Sequence, residues 1–195
     1  MSKPLTPTLS TLWTHNQVCS HCLSALKVDF YKRQIEGVPI LSIYAYNEQF
    51  KEALYRFKAK GDIELAGVFI DNYKNYLRLK YRGYYIVPIP SSKQRDKERG
   101  FNHVEEVFKR LGLPLIYCIK KKVDFKQSDL DYEGRQHVID KLEVIDGQQI
   151  SGKRILLVDD LVTTGATIKA ALKLVSQYLP RSVQCLTLAY VKEKV

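Results

Sequence analysis

The stretch Ile155-Leu156-Leu157-Val158-Asp159-Asp160-Leu161-Val162-Thr163-Thr164-Gly165-Ala166-Thr167 decides the reading of this chain. Four consecutive apolar residues, Ile155 to Val158, read as a strand buried on both faces, the central strand of a sheet covered by helices. Two carboxylates follow at its carboxyl end, where burying them for stability would be costly. Next comes Thr163-Thr164-Gly165-Ala166-Thr167, a turn of small and hydroxyl-bearing residues leading into a helix with the apolar face Ile168, Ala171, Leu172 and Val175. The N–H groups of the turn and the helix N-terminus make an anion site, and Gly165 lets the backbone approach closely without a Cβ. Carboxylates beside such a cradle suit the hydroxyls of a sugar, or the waters of a hydrated Mg²⁺. The plainer alternative is that Asp159 and Asp160 cap the helix and the threonines are ordinary turn residues.

Working outward, strand and helix patterns alternate. Ile40, Leu41, Ile43, Tyr44 and Tyr46 read as a strand, and Phe50, Ala53, Leu54 and Phe57 recur at helical spacing up to Gly61. Asp62 is expected to cap a second helix with the face Leu65, Phe69, Tyr73, Tyr76 and Leu77. Tyr84 to Pro90 reads as a buried strand ended by prolines, with a basic loop after it. Val104, Val107, Phe108 and Leu111 form a helix face stopped by Gly112. Leu115 to Ile119 reads as a short strand, residues 120–135 as a polar loop, and Tyr132 to Leu142 as a short helix. Val183 to Tyr190 is the last strand. This alternation predicts an α/β fold with a mainly parallel, doubly wound sheet, whose ligands sit beyond the carboxyl ends of the strands. Residues 1–36, with two prolines, a Thr/Ser cluster and a CxxC, read as a short N-terminal arm before a domain at 37–195.

The 195 residues carry 31 Lys and Arg against 21 Asp and Glu, a net charge of +10. Such an excess favours a polyanionic partner. Half of it falls in residues 81–125, which hold ten basic and five acidic side chains. No apolar run approaches the ~20 residues of a membrane span, and the N-terminus lacks the apolar region of a signal peptide. The expectation is a cytoplasmic protein without membrane insertion, with its four cysteines reduced or metal-bound.

The basic excess is densest at Pro90-Ser91-Ser92-Lys93-Gln94-Arg95-Asp96-Lys97-Glu98-Arg99-Gly100-Phe101-Asn102. A cationic loop at a strand end suits a pyrophosphate group, since arginine holds phosphate oxygens through two donors at once. By itself this is equally a solvated charged loop. Together with the Asp-Asp…Thr-Thr-Gly-Ala-Thr segment it is read as functional.

That segment resembles the ribose-5-phosphate-binding motif of type I phosphoribosyltransferases. The order Val87-Pro88-Ile89-Pro90, then Arg99-Gly100-Phe101-Asn102, then Gln127, Leu130 and Arg135, then the Asp pair resembles the ComF/ComFC competence family. Phe57-Lys58-Ala59-Lys60-Gly61-Asp62 is loosely similar to a further element of it. The resemblance covers roughly residues 40–190 and implies a type I phosphoribosyltransferase-like fold. It implies that Asp159 and Asp160 hold the ribose hydroxyls of phosphoribosyl pyrophosphate and that Thr163, Thr164, Gly165, Ala166 and Thr167 hold its 5′-phosphate. Ser91, Lys93, Arg95, Arg99 and Arg135 would face pyrophosphate or DNA phosphates, with Arg99 joining the Asp pair as a catalytic candidate and Mg²⁺ accompanying the donor.

The resemblance further implies a DNA-uptake role in natural transformation, beside an ATP-driven DNA translocase. Lys93, Arg95, Lys97, Arg99 and the run Lys120-Lys121-Lys122 would track single-stranded DNA, with Phe101 stacking on a base. A working transferase on a nucleobase or related acceptor is the alternative, and a non-catalytic sensor of the sugar donor a third. The family carries two cysteine pairs near the N-terminus, whereas Cys19 and Cys22 form one, half of a four-ligand zinc site. The expectation is that the first pair is lost or that the true start lies upstream. Cys118 and Cys185 fall in expected strands and read as buried apolar thiols.

Overall fold

The computed structural model describes residues 26–91, 93–122 and 142–192. Five strands form the main sheet: β1 (Val28–Ile35), β2 (Val38–Ala45), β3 (Tyr84–Pro88), β6 (Arg154–Val162) and β7 (Ser182–Tyr190). Their order is β1-β2-β7-β6-β3. β1 runs antiparallel to β2, and the pairs β2/β7, β7/β6 and β6/β3 are parallel. Two short strands, β4 (Ile119–Lys121) and β5 (Leu142–Val144), form a separate antiparallel pair.

Helices cover both faces, as near-continuous apolar strands require. One face carries α1 (Glu48–Ala59), α2 (Leu65–Ile70), α3 (Lys74–Lys80) and α5 (His103–Phe108). There Phe50, Phe57, Phe69, Leu77 and Val107 close over Leu41, Ile43, Leu156, Val158 and Leu186. The other face carries α6 (Ala166–Ser176), whose Ile168, Ala171, Leu172 and Val175 pack on Ile40, Val87, Ile155 and Leu157. Each of the fully buried phenylalanines contributes roughly 1.5–3 kcal/mol relative to exposure. The alternation Leu156, Val158, Asp160 to one face and Ile155, Leu157, Asp159 to the other follows from the two-residue period of a strand.

Several expectations need correction. Val28–Ile35, assigned from composition to the arm, is an edge strand of the main sheet, bulged at Phe30 (φ 47°). The single helix expected after Asp62 is two helices, α2 and α3, joined by a short 3₁₀ turn at Asp71–Tyr73, and Glu64 rather than Asp62 takes the N-cap position. The basic segment expected as a loop is a helix, α4 (Lys93–Arg99). Leu115 contributes a lone bridge to Ile86, and the strand following it begins at Ile119. Leu142 opens β5 instead of closing a helix. Cys19, Cys22, Gln127, Leu130 and Arg135, and most of the loop and helix expected between 120 and 142, lie outside the described residues.

Candidate ribose-phosphate site

β6 and β3 are parallel neighbours with Pro88 opposite Val158, and the Ile89 N–H donates to the Val158 carbonyl at 2.9 Å. Beyond this point the chain leaves β3 through α4 for α5 on one face and β6 for α6 on the other. Such divergence opens a crevice at the carboxyl ends. A cavity of about 460 Å³ occupies it, bounded by Lys58, Ser91, Arg95, Arg99, His103, Lys121, Asp159, Asp160 and Thr167.

The strand runs further than its apolar core, to Val162, so both aspartates lie within β6 rather than beyond it. Asp160 is 7 % exposed, and its Oδ2 accepts from His103 Nε2 at 2.7 Å and forms an ion pair with the Lys58 ammonium. Burial alone would raise the Asp160 carboxyl; the His103 hydrogen bond and the Lys58 charge outweigh it and hold it below the usual carboxylate range. Asp159 is half-buried, and its Oδ1 accepts from the Asp160 N–H at 2.8 Å. Burial, then the neighbouring Asp160 charge, push its carboxyl well above the usual range. Two adjacent carboxylates thus sit in unlike electrostatic settings.

The turn after β6 is built differently. Thr163, Thr164 and Ala166 are exposed, and Gly165 stands before α6 with φ 78°. That left-handed conformation favours glycine, and a Cβ at Gly165 would collide with Ile35 Cδ1. The Thr164 hydroxyl accepts from the Ala166 N–H at 3.4 Å, and the Arg33 guanidinium donates to the Thr163 carbonyl at 3.3 Å. β1 therefore forms the seat of the turn, which the composition of this segment does not suggest.

Side-chain hydrogen bonds tie α4 to its exit. Asp96 accepts from the Ser91 hydroxyl and from Asn102 Nδ2 at 3.1 Å, while Asn102 Oδ1 caps α5 by accepting from the Glu105 N–H at 3.0 Å. Gly100, at φ 86°, ends the helix, and Phe101 packs on Phe57 with centroids 5.4 Å apart. Phe101 is thus half-buried against the core, not an exposed platform for a base. Arg99 has protein partners of its own. Its side chain is 7 % exposed, donating to the Lys58 carbonyl at 2.6 Å and to His103 Nδ1 at 2.7 Å, with Asp96 at 3.4 Å. Arg99 builds the wall, and Lys58, Arg95 and Lys121 are the cations that line the cavity beside it.

Of the expected residues, Ser91, Arg95, Arg99, Asp159, Asp160 and Thr167 meet at one cavity. The backbone of Lys93 lies in α4. Sequence reasoning missed His103, Lys58 and Arg33 as site residues. The signal for Lys58 stood in the Phe57–Asp62 element; His103 follows Asn102 directly but carries no motif of its own. Among the described residues no cluster of three or more His, Cys, Asp or Glu could cage a metal ion.

A mainly parallel sheet with an acidic pair and a hydroxyl turn at the end of an inner strand defines a phosphoribosyltransferase-like protein, and residues 97–195 match the phosphoribosyl transferase domain family. The chain is 33% identical over 152 residues to the competence protein ComFC of Streptococcus pneumoniae, covering 78% of this chain and 68% of that protein. It is 34% identical over 132 residues to the ComFC of Bacillus subtilis, covering 67% of this chain and 55% of that protein, so it spans about half the length of that relative. The chain belongs to the ComFC competence proteins within the phosphoribosyl transferase domain family. Among solved structures, a hypoxanthine phosphoribosyltransferase from Staphylococcus aureus aligns over 68% of this chain and 69% of its own, at 17% identity and a TM-score of 0.42.

Proposed function

We propose that this protein acts in DNA uptake during natural transformation, binding a ribose 5-phosphate group, such as that of phosphoribosyl pyrophosphate, at the end of β6 and single-stranded DNA along the adjoining basic rim. The observation that carries this reading is the meeting of Asp159, Asp160, Thr167, Lys58, Arg95 and Lys121 at one cavity. Its volume of about 460 Å³ falls within the range of small-molecule sites. Asp160 and Asp159 would accept the ribose hydroxyls, and the Thr163–Thr167 turn would take the 5′-phosphate on its N–H groups and hydroxyls. Lys58, Arg95 and Lys121 would face the pyrophosphate. Mg²⁺, bound with the donor, would neutralise part of its charge.

DNA lacks the 2′-hydroxyl that the carboxylates would grip. The strand is therefore placed on the rim, where Lys60, Arg95, Lys97, Lys120 and Lys122 are exposed. Tyr55 is 55 % exposed and precedes Lys58 by three residues on α1, the spacing that shares a helix face; it offers a ring for base stacking. The post beside an ATP-driven DNA translocase is cytoplasmic. Among the described residues no helix is long and apolar enough to cross a membrane.

A working transferase is the second reading, favoured by the meeting of the two carboxylates with the cations Lys58, Arg95 and Lys121 at one cavity. The bond from the anomeric carbon to pyrophosphate would break, pyrophosphate would leave with the electron pair, and the lone pair of an acceptor nitrogen would bond to the same carbon, its proton passing to the departing pyrophosphate or to water, while the Asp160 carboxylate stabilises the developing positive charge. Calorimetric titration with phosphoribosyl pyrophosphate and Mg²⁺, with and without single-stranded DNA, tests both sites. Binding of each is expected, with DNA affinity falling steeply as salt rises. A flat salt response removes the DNA reading, and no donor binding removes the ribose-phosphate reading. Pyrophosphate release with a nucleobase or related acceptor separates transferase from sensor.

A further inference from the structure

The cavity wall carries a continuous polar chain across three elements. Arg99 on α4 donates to His103 Nδ1 at 2.7 Å, and His103 Nε2 stands 2.7 Å from Asp160 Oδ2 on β6. A guanidinium has donors only, so the nitrogen facing it must be the unprotonated one. The ring proton of a neutral His103 then sits on Nε2 and is donated to Asp160. Lys58 of α1 reaches the same oxygen, Oδ2. Both anchors meet there, and neither holds Oδ1. His103 is 5 % exposed, with the Phe57 ring edge-on at 6.4 Å. The charged groups around it are Asp160 of β6, Lys58 of α1 and Arg99 of α4. Burial, with the Lys58 and Arg99 charges, outweighs the pull of Asp160 and lowers its tendency to take a second proton.

We propose that His103 is a positioning residue of the site: locked by Arg99 in the Nε2–H form, it fixes Asp160 so that Oδ1 is presented to a ribose hydroxyl. This rests on the ribose-phosphate reading above. His103 does not act as a proton acceptor in this arrangement, because Nδ1 is committed to Arg99 and Nε2 already carries its proton. The chain also links the joint at Asp96 to the ribose side, since Arg99 reaches Asp96 at 3.4 Å. A rigid shell that holds the groups meeting a ligand is what keeps such a site in productive geometry.

Two measurements on the full chain test this. In ¹H–¹⁵N spectra of the imidazole at pH 7, the expected result is a protonated Nε2 and an unprotonated Nδ1. A ring protonated on Nδ1 overturns the proposal, with no need for any variant to fold. Titration with phosphoribosyl pyrophosphate and Mg²⁺ then compares wild type, His103→Gln and His103→Leu. The glutamine amide can replace the donor, so affinity stays within about threefold; leucine cannot, and affinity falls roughly ten- to hundredfold, the scale of a hydrogen bond to a charged group. A leucine variant that binds the donor like wild type overturns positioning alone, whereas a wild type that does not bind the donor overturns the ribose-phosphate reading and this proposal with it.

Discussion

The two sides of the site flanking β6 are built in opposite ways. Asp160 is buried and held from two directions by His103 and Lys58, with Arg99 behind His103. The Thr163–Thr167 turn is largely exposed and is shaped by backbone conformation, with Gly165 at φ 78° seated on Ile35. The reason lies in what each group needs before a ligand arrives. A carboxylate removed from water requires partners of its own, or it protonates. Exposed N–H groups and hydroxyls are satisfied by water until an anion replaces it. One side is preorganised by side chains, the other by the backbone.

Asp160→Ala should break the first side with the largest effect. It leaves Lys58 and His103 facing each other without their common partner. Removing one member of a buried pair costs about 3–5 kcal/mol, and since Lys58 is 31 % exposed the lower end is expected, about 3 kcal/mol by urea unfolding. A loss below about 1 kcal/mol would show that the His103–Lys58 anchoring is not structural.

Gly165→Val attacks the second side through the backbone. The left-handed conformation costs a residue with a Cβ about 1–2 kcal/mol, and contact with Ile35 adds to it, for an expected loss of about 2–3 kcal/mol in the same assay. Pairing it with Ile35→Ala should give a coupling above about 0.5 kcal/mol. Strict additivity would mean that β1 does not seat the turn.

The pH dependence of stability separates the two sides next. His103 has its affinity for protons lowered from the ordinary 6.5 by burial first, and then by Lys58 and Arg99. The unfolded chain therefore binds the proton that the folded one excludes, and stability falls as pH drops through and below 6.5. Thermal denaturation between pH 7.5 and 5.5 should show this slope in wild type and less of it in His103→Gln. Identical slopes would place the titration elsewhere. The smallest effect belongs to Thr164→Ala, expected within about 0.5 kcal/mol of wild type in stability, as an exposed change, while its affinity for inorganic phosphate drops severalfold.

The strand–carboxylate–turn segment was legible because its information is local: four apolar residues, two acids and a glycine turn leave little choice of conformation. The order of β2, α1, β3, α5, β6, α6 and β7 was legible for the same reason, through the periods of strand and helix. β1 was not, because its polar residues Lys32, Arg33 and Gln34 suit an edge strand facing water as well as they suit an arm. The sequence of α4 reads as a loop because Lys93–Arg99 has no apolar face; Asp96 organises it through Ser91, Arg99 and Asn102 instead. The wall contacts of Arg99 are not legible in the sequence for a related reason. A cation in a basic segment looks like a phosphate ligand until the fold brings the Lys58 carbonyl and His103 to it across 41 and 4 residues. His103 was invisible because its meaning depends on Asp160, 57 residues away.

A site for a ribose bearing a 5′-phosphate at the end of β6 is checked by calorimetric titration of the full chain with ribose 5-phosphate and, in parallel, 2-deoxyribose 5-phosphate. Saturable one-to-one binding of ribose 5-phosphate is expected, at least tenfold tighter than the deoxy sugar, since a site built to grip a hydroxyl discriminates against its absence. That preference should vanish in Asp160→Asn combined with Asp159→Asn. Equal affinity for the two sugars, or no binding of either by wild type, would contradict the account.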